Sequence, residues 1–519
     1  MKAAEFLPER FNVAAHFVDR NVAEGRGGRP AFVTEGRTLT YADLLELTNR
    51  TGNALRELGV ARGERVFLAC LDSPEFLGAF WGAIKIGAVP VPVNTLLRSA
   101  DYAYQLNDSE AKVAVVSEPL LAEVGPALGS AERLEHVLVG GGPAGSHTSL
   151  EELQSKASPT LPPAPTSRDD PAFWLYSSGS TGFPKGAVHL QHDMVICAET
   201  YAKQVLGIRE SDRVFSAPKL FFAYGLGNAG YFPLAAGATS ILWPGRPAPA
   251  DVYSVIGRHR PTLFFFVPTG YGMMLACAGE FDLSSIRLAS SAGEALPPAL
   301  YTRFKERFGI DIIDGIGSTE ILHTFISNRP GAIRPGSSGL IVDGYEAALL
   351  DDDRRPVAVG EIGDLFISGD STCASYWNQP DKTAQTIQGR WIRTGDKYSQ
   401  DADGFYWYAG RGDDMLKVGG LWVSPVEVEN ALVAHDAVQE CAVIGREDAD
   451  ALVKPMAFVV LRAGVAGTPE LAAALQDFVR SRLAEYKRPR WVRFLGELPK
   501  TPTGKIQRFK LRADMTATQ

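Results

Sequence analysis

The sequence predicts an α/β protein with a large N-terminal domain of α/β layers, a β-rich subdomain within it, and a small α+β domain at the C-terminus. Three observations predict this. Short β-branched runs alternate with helical patterns through the first third of the chain, as layered α/β folds do. Between about residues 336 and 410 the texture shifts to short strands punctuated by Gly and Asp. The last hundred residues hold two strand-like runs and one helical pattern. A chain of 519 residues also exceeds what one ordinary core can serve.

The elements follow in order. Residues 44–58 and 74–86 have helical periodicity, and residues 65–70, 112–116 and 137–139 read as buried strands. The segments 140–146 (GGGPAGS) and 158–165 (SPTLPPAP) are extended surface linkers, either between subdomains or as plain loops. A strand is expected over 172–175 and another over 187–190. Residues 220–245 carry no charge and are long enough by count to cross a bilayer, but Asn228, Pro233, Pro244 and several glycines interrupt them. They are expected to form loop and buried strand. Strands over 362–368 and 405–409 belong to the β-rich region. Strands over 438–444 and 456–461 and a helix over 470–483 make the C-terminal unit. No internal repeat is visible.

Apolar residues make up 45% and charged residues 22%, the balance of a soluble globular protein, and the net charge is −8. An acidic chain without a basic tail argues against nucleic acid as a partner. Five cysteines form no CxxC pair and no zinc spacing, so free, mostly buried thiols are expected. The N-terminal twenty residues are charged throughout and do not read as a signal peptide. A cytoplasmic protein with no membrane partner is expected.

The strongest chemical signal is YSSGSTGFPKG, from Tyr176 to Gly186, directly after an apolar strand. Its small residues Ser177, Ser178, Gly179, Ser180, Thr181 and Gly182 let backbone N–H groups approach phosphate oxygens, and the hydroxyls add donors. Lys185 adds a positive charge. The pattern is not the Walker type, because Lys185 is followed by Gly186 and a strand-like run instead of Ser or Thr and a helix.

With this motif the chain resembles the adenylate-forming superfamily, which includes acyl- and aryl-CoA synthetases, peptide-synthetase adenylation domains and beetle luciferases. Further motifs of that superfamily follow in order: GIGSTE over 315–320, TGD over 394–396, GRGDDMLKVGG over 410–420 and PKTPTGK over 499–505. The resemblance spans about residues 30–511. It implies ATP, Mg²⁺ and coenzyme A as ligands. It places Thr181 and Glu320 at the Mg²⁺·ATP site, where a carboxylate beside phosphates suits an intervening hard cation. Gly293, Glu294, Asp314, Gly315, Gly317, Ser318 and Thr319 are implied to wall the adenine and phosphates. Asp396, in a short TGD turn, is implied to accept the ribose hydroxyls, with Arg411 in support.

Lys505 is implied to be catalytic, bridging the substrate carboxylate and the α-phosphate as two anions are forced together. The resemblance also makes the C-terminal domain mobile. Asp413 would be its hinge, dividing residues 1–412 from 413–519. One pose would bring Lys505 to the site. The other would present Lys417, Gly419 and Gly420 to a pantetheine tunnel.

The acid pocket is implied to lie at KLFFAYG and at the residues after Glu320. Phe222, Ala223, Tyr224, Ile321, Leu322 and His323 would line a flat apolar slot for a small aromatic carboxylic acid. KLFFAYG together with STEILH resembles benzoate-CoA ligases in particular. Alternatively the aromatics are core packing and the acid is a short or branched aliphatic one. Loading of a carrier protein, luciferase-like oxidation and a catalytically dead regulator are the competing classes. Lys505, Glu320 and Thr181 are all present, which disfavours the dead regulator. A monomer or homodimer is expected.

Overall fold

The fold is taken from a computed structural model describing residues 1–177, 184–412, 414–418, 421–448, 452–500 and 506–516, with only the backbone described for 417, 421, 422 and 514–516. Two parallel-rich sheets make the N-terminal body. The first runs Val89–Pro92, Arg65–Ala69, Val113–Ser117, His136–Gly140 and Thr148–Ser149, with every neighbouring pair parallel. Helices Tyr41–Glu57 and Pro74–Lys85 pack on one another beside it. Their contact is tight because a Cβ on Gly52 or Gly82 would press into the facing helix. Thr40 caps the first helix through a reciprocal bond with Asp43.

The second sheet has nine strands. Its centre is parallel, in the order Ile312–Gly317, Leu288–Ser291, Leu263–Phe266, Arg213–Ser216, Thr239–Ile241 and Pro30–Thr34. These strands read as apolar runs because both faces are covered. Antiparallel strands close both edges. The loops after Ser216, Ser291 and Gly317 all leave the same, C-terminal edge, where open α/β sheets bind ligands. A three-stranded sheet of Pro171–Ser177, Lys185–Leu190 and Ser375–Tyr376 abuts that edge.

The β-rich region is an antiparallel sheet built on Glu346–Leu350, Gly363–Ser368, Trp391–Gln400 and Tyr406–Arg411. The C-terminal unit pairs Val438–Glu447 with Val453–Leu461 and adds Trp491–Leu495 in parallel. Helices Pro425–Val433 and Pro469–Arg480 cover it. Its core is its own: among the described residues, Val428, Leu432, Val443, Val459, Leu475 and Val479 cluster with no residue of the N-terminal body.

Most expected strands and helices are present within a few residues. Residues 220–245 differ. They form helical turns over Ala223–Gly225, Leu226–Tyr231 and Phe232–Ala236, and only Thr239–Ile241 is strand. Every residue from 225 to 234 is buried, so the helix has no polar face and no periodic signal. Pro233 is tolerated because it sits at the start of the last helical segment. Residues 141–147 and 157–166 are connections within the body; Leu161 of the second is buried. The five cysteines are free, and Cys70, Cys197, Cys373 and Cys441 are buried. No helix among the described residues is long and apolar enough to cross a membrane.

Candidate active site

Glu320 stands in the short turn Thr319–Ile321, just past the C-terminal end of Ile312–Gly317. Ser177 Oγ donates to its Oε1 at 3.0 Å, and the Tyr376 hydroxyl donates to the same oxygen at 2.7 Å. Lys185 Nζ lies 4.2 Å from the centre of the Tyr376 ring. Burial pushes the Lys185 pKa below its ordinary value; Glu320 opposes that shift, and Lys382 and Arg411 add to it. Lys185, Ser177 and Glu320 are therefore one cluster, as the sequence motifs imply. Tyr376 is the member that sequence reasoning missed. It arrives by antiparallel pairing of Ser375–Tyr376 with Lys185–Leu190, and SYWNQP carries no spacing signal for that. Ser178, Gly179, Ser180, Thr181 and Gly182 lie outside the described residues.

The backbone beside Glu320 needs glycine. A Cβ on Gly317 would stand 2.7 Å from the His323 carbonyl oxygen, where Ile312–Gly317 and Thr324–Ser327 shift register. Gly315 likewise faces the Ile326 carbonyl at 2.8 Å. Both belong to the strand, not to a Gly-rich loop following it. Ser318 caps the turn by accepting from the Ile321 N–H.

The residues expected at the nucleotide include Asp314, Gly293 and Glu294. Asp314 is buried; its Oδ2 accepts from the Leu296 N–H at 3.4 Å and its Oδ1 has no partner among the described residues. Burial pushes its pKa up to about 8, so near neutrality the carboxyl keeps its proton. An orphaned buried carboxyl of this kind fits a polar purine edge, which supports the fit of a nucleotide here. Gly293 adopts φ +89°, the left-handed region. Glu294 accepts from the Thr269 hydroxyl at 2.7 Å and its N–H at 3.3 Å, so its side chain is engaged at the start of helix Pro268–Ala276.

Asp396 does not sit in a turn. It lies inside the strand Trp391–Gln400, where Gly395 at φ +78° and a register shift against Gly363–Ser368 form a bulge. The bulge sets Asp396 opposite Arg411, whose guanidinium donates to Oδ1 at 3.0 Å.

The expected acid pocket is an aromatic cage around His323. The ring centres of Phe232, Tyr201 and Tyr224 lie 4.5, 5.2 and 5.5 Å from that of His323. The hydroxyls of Tyr201 and Tyr224 both meet Ser290 Oγ, at 3.0 and 3.1 Å. His323 Nε2 points at the Tyr224 carbonyl at 3.3 Å, and burial drives the His323 pKa down to about 3, so the ring is neutral. Phe222 and Ala223 are half-buried at the start of the helical segment, with Phe222 against Phe221. Ile321 and Leu322 have no exposed surface and pack in the central core. Tyr201 and Ser290, which the sequence reading did not name, complete the cage from other elements.

At the C-terminal side, Asp413, Gly419, Gly420 and Lys505 lie outside the described residues, as does the side chain of Lys417. Lys417 pairs with Trp422 in the hairpin Leu416–Val418/Leu421–Val423. Next to the expected hinge, Asp414 pairs with Arg512, and Arg508 donates to both oxygens of Glu429 at 2.7 and 2.8 Å. Lys500, the second residue of the terminal lysine motif, and Ile506, the residue after it, form an antiparallel bridge.

Residues 19–377 match the family described as AMP-binding enzyme, and residues 427–505 match the AMP-binding enzyme C-terminal domain. The chain is 51% identical over 512 residues to a benzoate–CoA ligase of Thauera aromatica, covering 98% of this chain and 97% of that one. Among solved structures, the anthranilate CoA ligase AuaEII in complex with anthranoyl-AMP superposes with a TM-score of 0.96 at 46% identity, over 100% of both chains. A benzoate CoA ligase from Burkholderia xenovorans LB400 superposes with a TM-score of 0.90 at 48% identity, over 97% of this chain and 100% of that one.

Proposed function

The chain belongs to the AMP-binding enzyme family and is an AMP-forming acid–thiol ligase, and we propose that the acid it joins to coenzyme A is benzoate. One observation carries this. A single turn has Glu320, in its cluster with Ser177, Tyr376 and Lys185, at one end and His323, inside the aromatic cage, three residues on. An aryl ring seated against that cage would present its carboxylate toward the polyphosphate side.

In the first half-reaction a carboxylate oxygen attacks the α-phosphorus of ATP, and the bond to the β-phosphate breaks to release pyrophosphate. In the second, the sulfur of coenzyme A attacks the acyl carbon, AMP leaves, and the thiol proton passes to solvent. Lys185 offers charge to the phosphates from a desolvated position, where each charge counts for more. Asp396 and Arg411 are suited to the ribose hydroxyls and the phosphates. Asp314 would meet the purine edge with Gly293, Glu294, Gly315, Gly317, Ser318 and Thr319 as backbone walls. Phe222, Ala223, Tyr224 and His323 would contact the ring, with Ile321 and Leu322 behind them. Glu320 and Thr181 supply hard oxygen donors of the kind Mg²⁺ takes, and bound Mg²⁺ would neutralise phosphate charge.

Lys505 would bridge the carboxylate and the α-phosphate in adenylation. The segment 413–519 would then turn about Asp413 to offer Lys417, Gly419 and Gly420 to the pantetheine arm. The enzyme would act in the cytoplasm as a monomer or homodimer. Pyrophosphate and AMP release is measured with benzoate, 2-aminobenzoate, 4-hydroxybenzoate, cinnamate, acetate and hexanoate. Benzoate is expected to lead, and turnover confined to acetate and hexanoate would overturn the aryl slot. Lys505→Ala is expected to slow adenylation about 10²–10³-fold. It should leave thiolation of supplied benzoyl-AMP nearly intact; equal loss in both steps would refute that division.

A further inference from the structure

The turn that carries Glu320 is held by its carbonyls. The Thr319 oxygen faces His189 Nε2 at 2.7 Å, the Glu320 oxygen accepts from the Cys373 N–H at 2.7 Å, and the Ile321 oxygen accepts from Ser371 Oγ at 2.9 Å. The next residue, Leu322, has φ +72° and ψ −43° and no exposed surface. A branched side chain with positive φ is strained by roughly 1–3 kcal/mol and persists only where its surroundings over-determine it. The three held carbonyls are those surroundings.

His189 is the side chain in this clamp with a built support of its own. A carbonyl oxygen only accepts, so Nε2 carries its hydrogen and donates to Thr319. Nδ1 lies 2.7 Å from Asp193 Oδ2, a contact that requires a second hydrogen, on the ring or on the carboxyl. Asp193 Oδ2 also accepts from the Leu190 N–H at 3.0 Å, while its Oδ1 has no hydrogen-bond partner among the described residues. Both His189 and Asp193 are fully buried, and the imidazole stacks on Phe173 with ring centres 5.2 Å apart. The ring can neither flip nor withdraw.

We propose that His189, oriented by Asp193, is a positioning residue for the adenylation half-reaction: it pins the Thr319 carbonyl and so aims the Glu320 carboxylate at the cation between enzyme and polyphosphate. The proposal rests on the reading of Glu320 as a Mg²⁺ ligand. His189 does not touch substrate. Its effect passes through the orientation of the carboxylate one residue beyond the carbonyl it holds, as outer groups tune a metal ligand.

The experiment is calorimetric titration of the full chain with ATP, with and without Mg²⁺, alongside thermal unfolding. His189→Gln places an amide donor near the Nε2 position and can keep the bond to Thr319. His189→Asn places its donor near Nδ1 and can reach only Asp193. His189→Asn is expected to lose about tenfold in the Mg²⁺-dependent gain in ATP affinity. Its Mg²⁺-free ATP affinity and its midpoint should match those of His189→Gln, which keeps the gain. Equal behaviour of the two variants, or equal loss with and without Mg²⁺, would overturn the proposal.

Glu320→Gln separates the two ideas. If it retains the Mg²⁺-dependent gain, the reading of Glu320 fails and the proposal falls with it. If Glu320→Gln loses the gain while His189→Asn keeps it, the proposal alone fails. Should neither His189 variant fold, Ser371→Ala removes the hydroxyl donor to the neighbouring Ile321 carbonyl, leaving it only the thiol of Cys197, and must show the same Mg²⁺-selective loss; an unchanged gain there counts against the clamp.

Discussion

The two ends of the parallel strands in the nine-stranded sheet treat buried polar groups in opposite ways. At the N-terminal ends, Asp212 accepts from Arg287 Nε and Nη2 at 2.9 and 2.7 Å, from the Thr262 hydroxyl at 2.8 Å and from the Arg209 N–H at 2.9 Å. Its three side-chain and backbone partners sit just before successive strands and tie them together. At the C-terminal ends, Asp314 keeps one oxygen without a partner among the described residues, and His323 likewise keeps Nδ1. Fully satisfied buried networks fix a fold, whereas a buried polar atom left over is a cost that something else must explain. One edge of the sheet is tied by satisfied bonds, and the other carries unsatisfied polar atoms of the kind a ligand would meet.

The pKa shifts follow the same division. Burial alone would raise Asp212, but its bonds from Arg287, Thr262 and Arg209 outweigh burial and hold it below the ordinary value. Asp314 has too few compensating bonds, and burial carries it up to about 8.

Four variants can break or sharpen this contrast. Asp212→Ala strands a half-buried Arg287 and should cost about 3–5 kcal/mol in denaturant unfolding. The activity of the remaining folded enzyme should hold. A lower KM-normalised rate at full stability would put Asp212 at the wrong edge. In the wild type the Asp212 contribution is present above the unfolded carboxylate pKa and is lost as pH falls through the lower folded value. Glu320→Ala should do the reverse: adenylation, followed by pyrophosphate exchange, falls about 10²–10³-fold while the unfolding midpoint barely moves.

Gly227→Ala should be milder. A Cβ there overlaps the His323 ring, and overpacking of this kind costs about 1–3 kcal/mol. The KM for benzoate should rise with the KM for ATP unchanged; a matching rise in both would show that the cage and the nucleotide edge are not separable. The last variant concerns Asp314. Its folded pKa is raised, so the folded chain holds the proton more tightly than the unfolded one. Stability therefore falls as pH rises between about 4 and about 8, by about 1.4 kcal/mol per pH unit from this group. Asp314→Asn should flatten that slope in unfolding titrations run from pH 5 to pH 8.

The motifs were legible in the sequence because phosphate chemistry needs particular residue types close together in the chain. Ser177, Lys185 and Glu320 do meet in space. Alternation of apolar runs located most strands, including Arg65–Ala69 and Val113–Ser117. The helical stretch from Ala223 to Ala236 was missed because burial on all sides erases amphipathic periodicity. Asp396 was read as a turn residue because a strand bulge with Gly at positive φ and a turn use the same residues.

By itself the sequence determined the α/β class and the family, since these depend on short-range order along the chain. Only the tertiary structure decided that Tyr376 shares the Glu320 oxygen with Ser177, that Tyr201 and Ser290 complete the cage, and that His189 grips the Thr319 carbonyl. Those contacts join residues far apart in sequence, and their geometry is set by strand pairing and packing, which leave no spacing for a sequence to display.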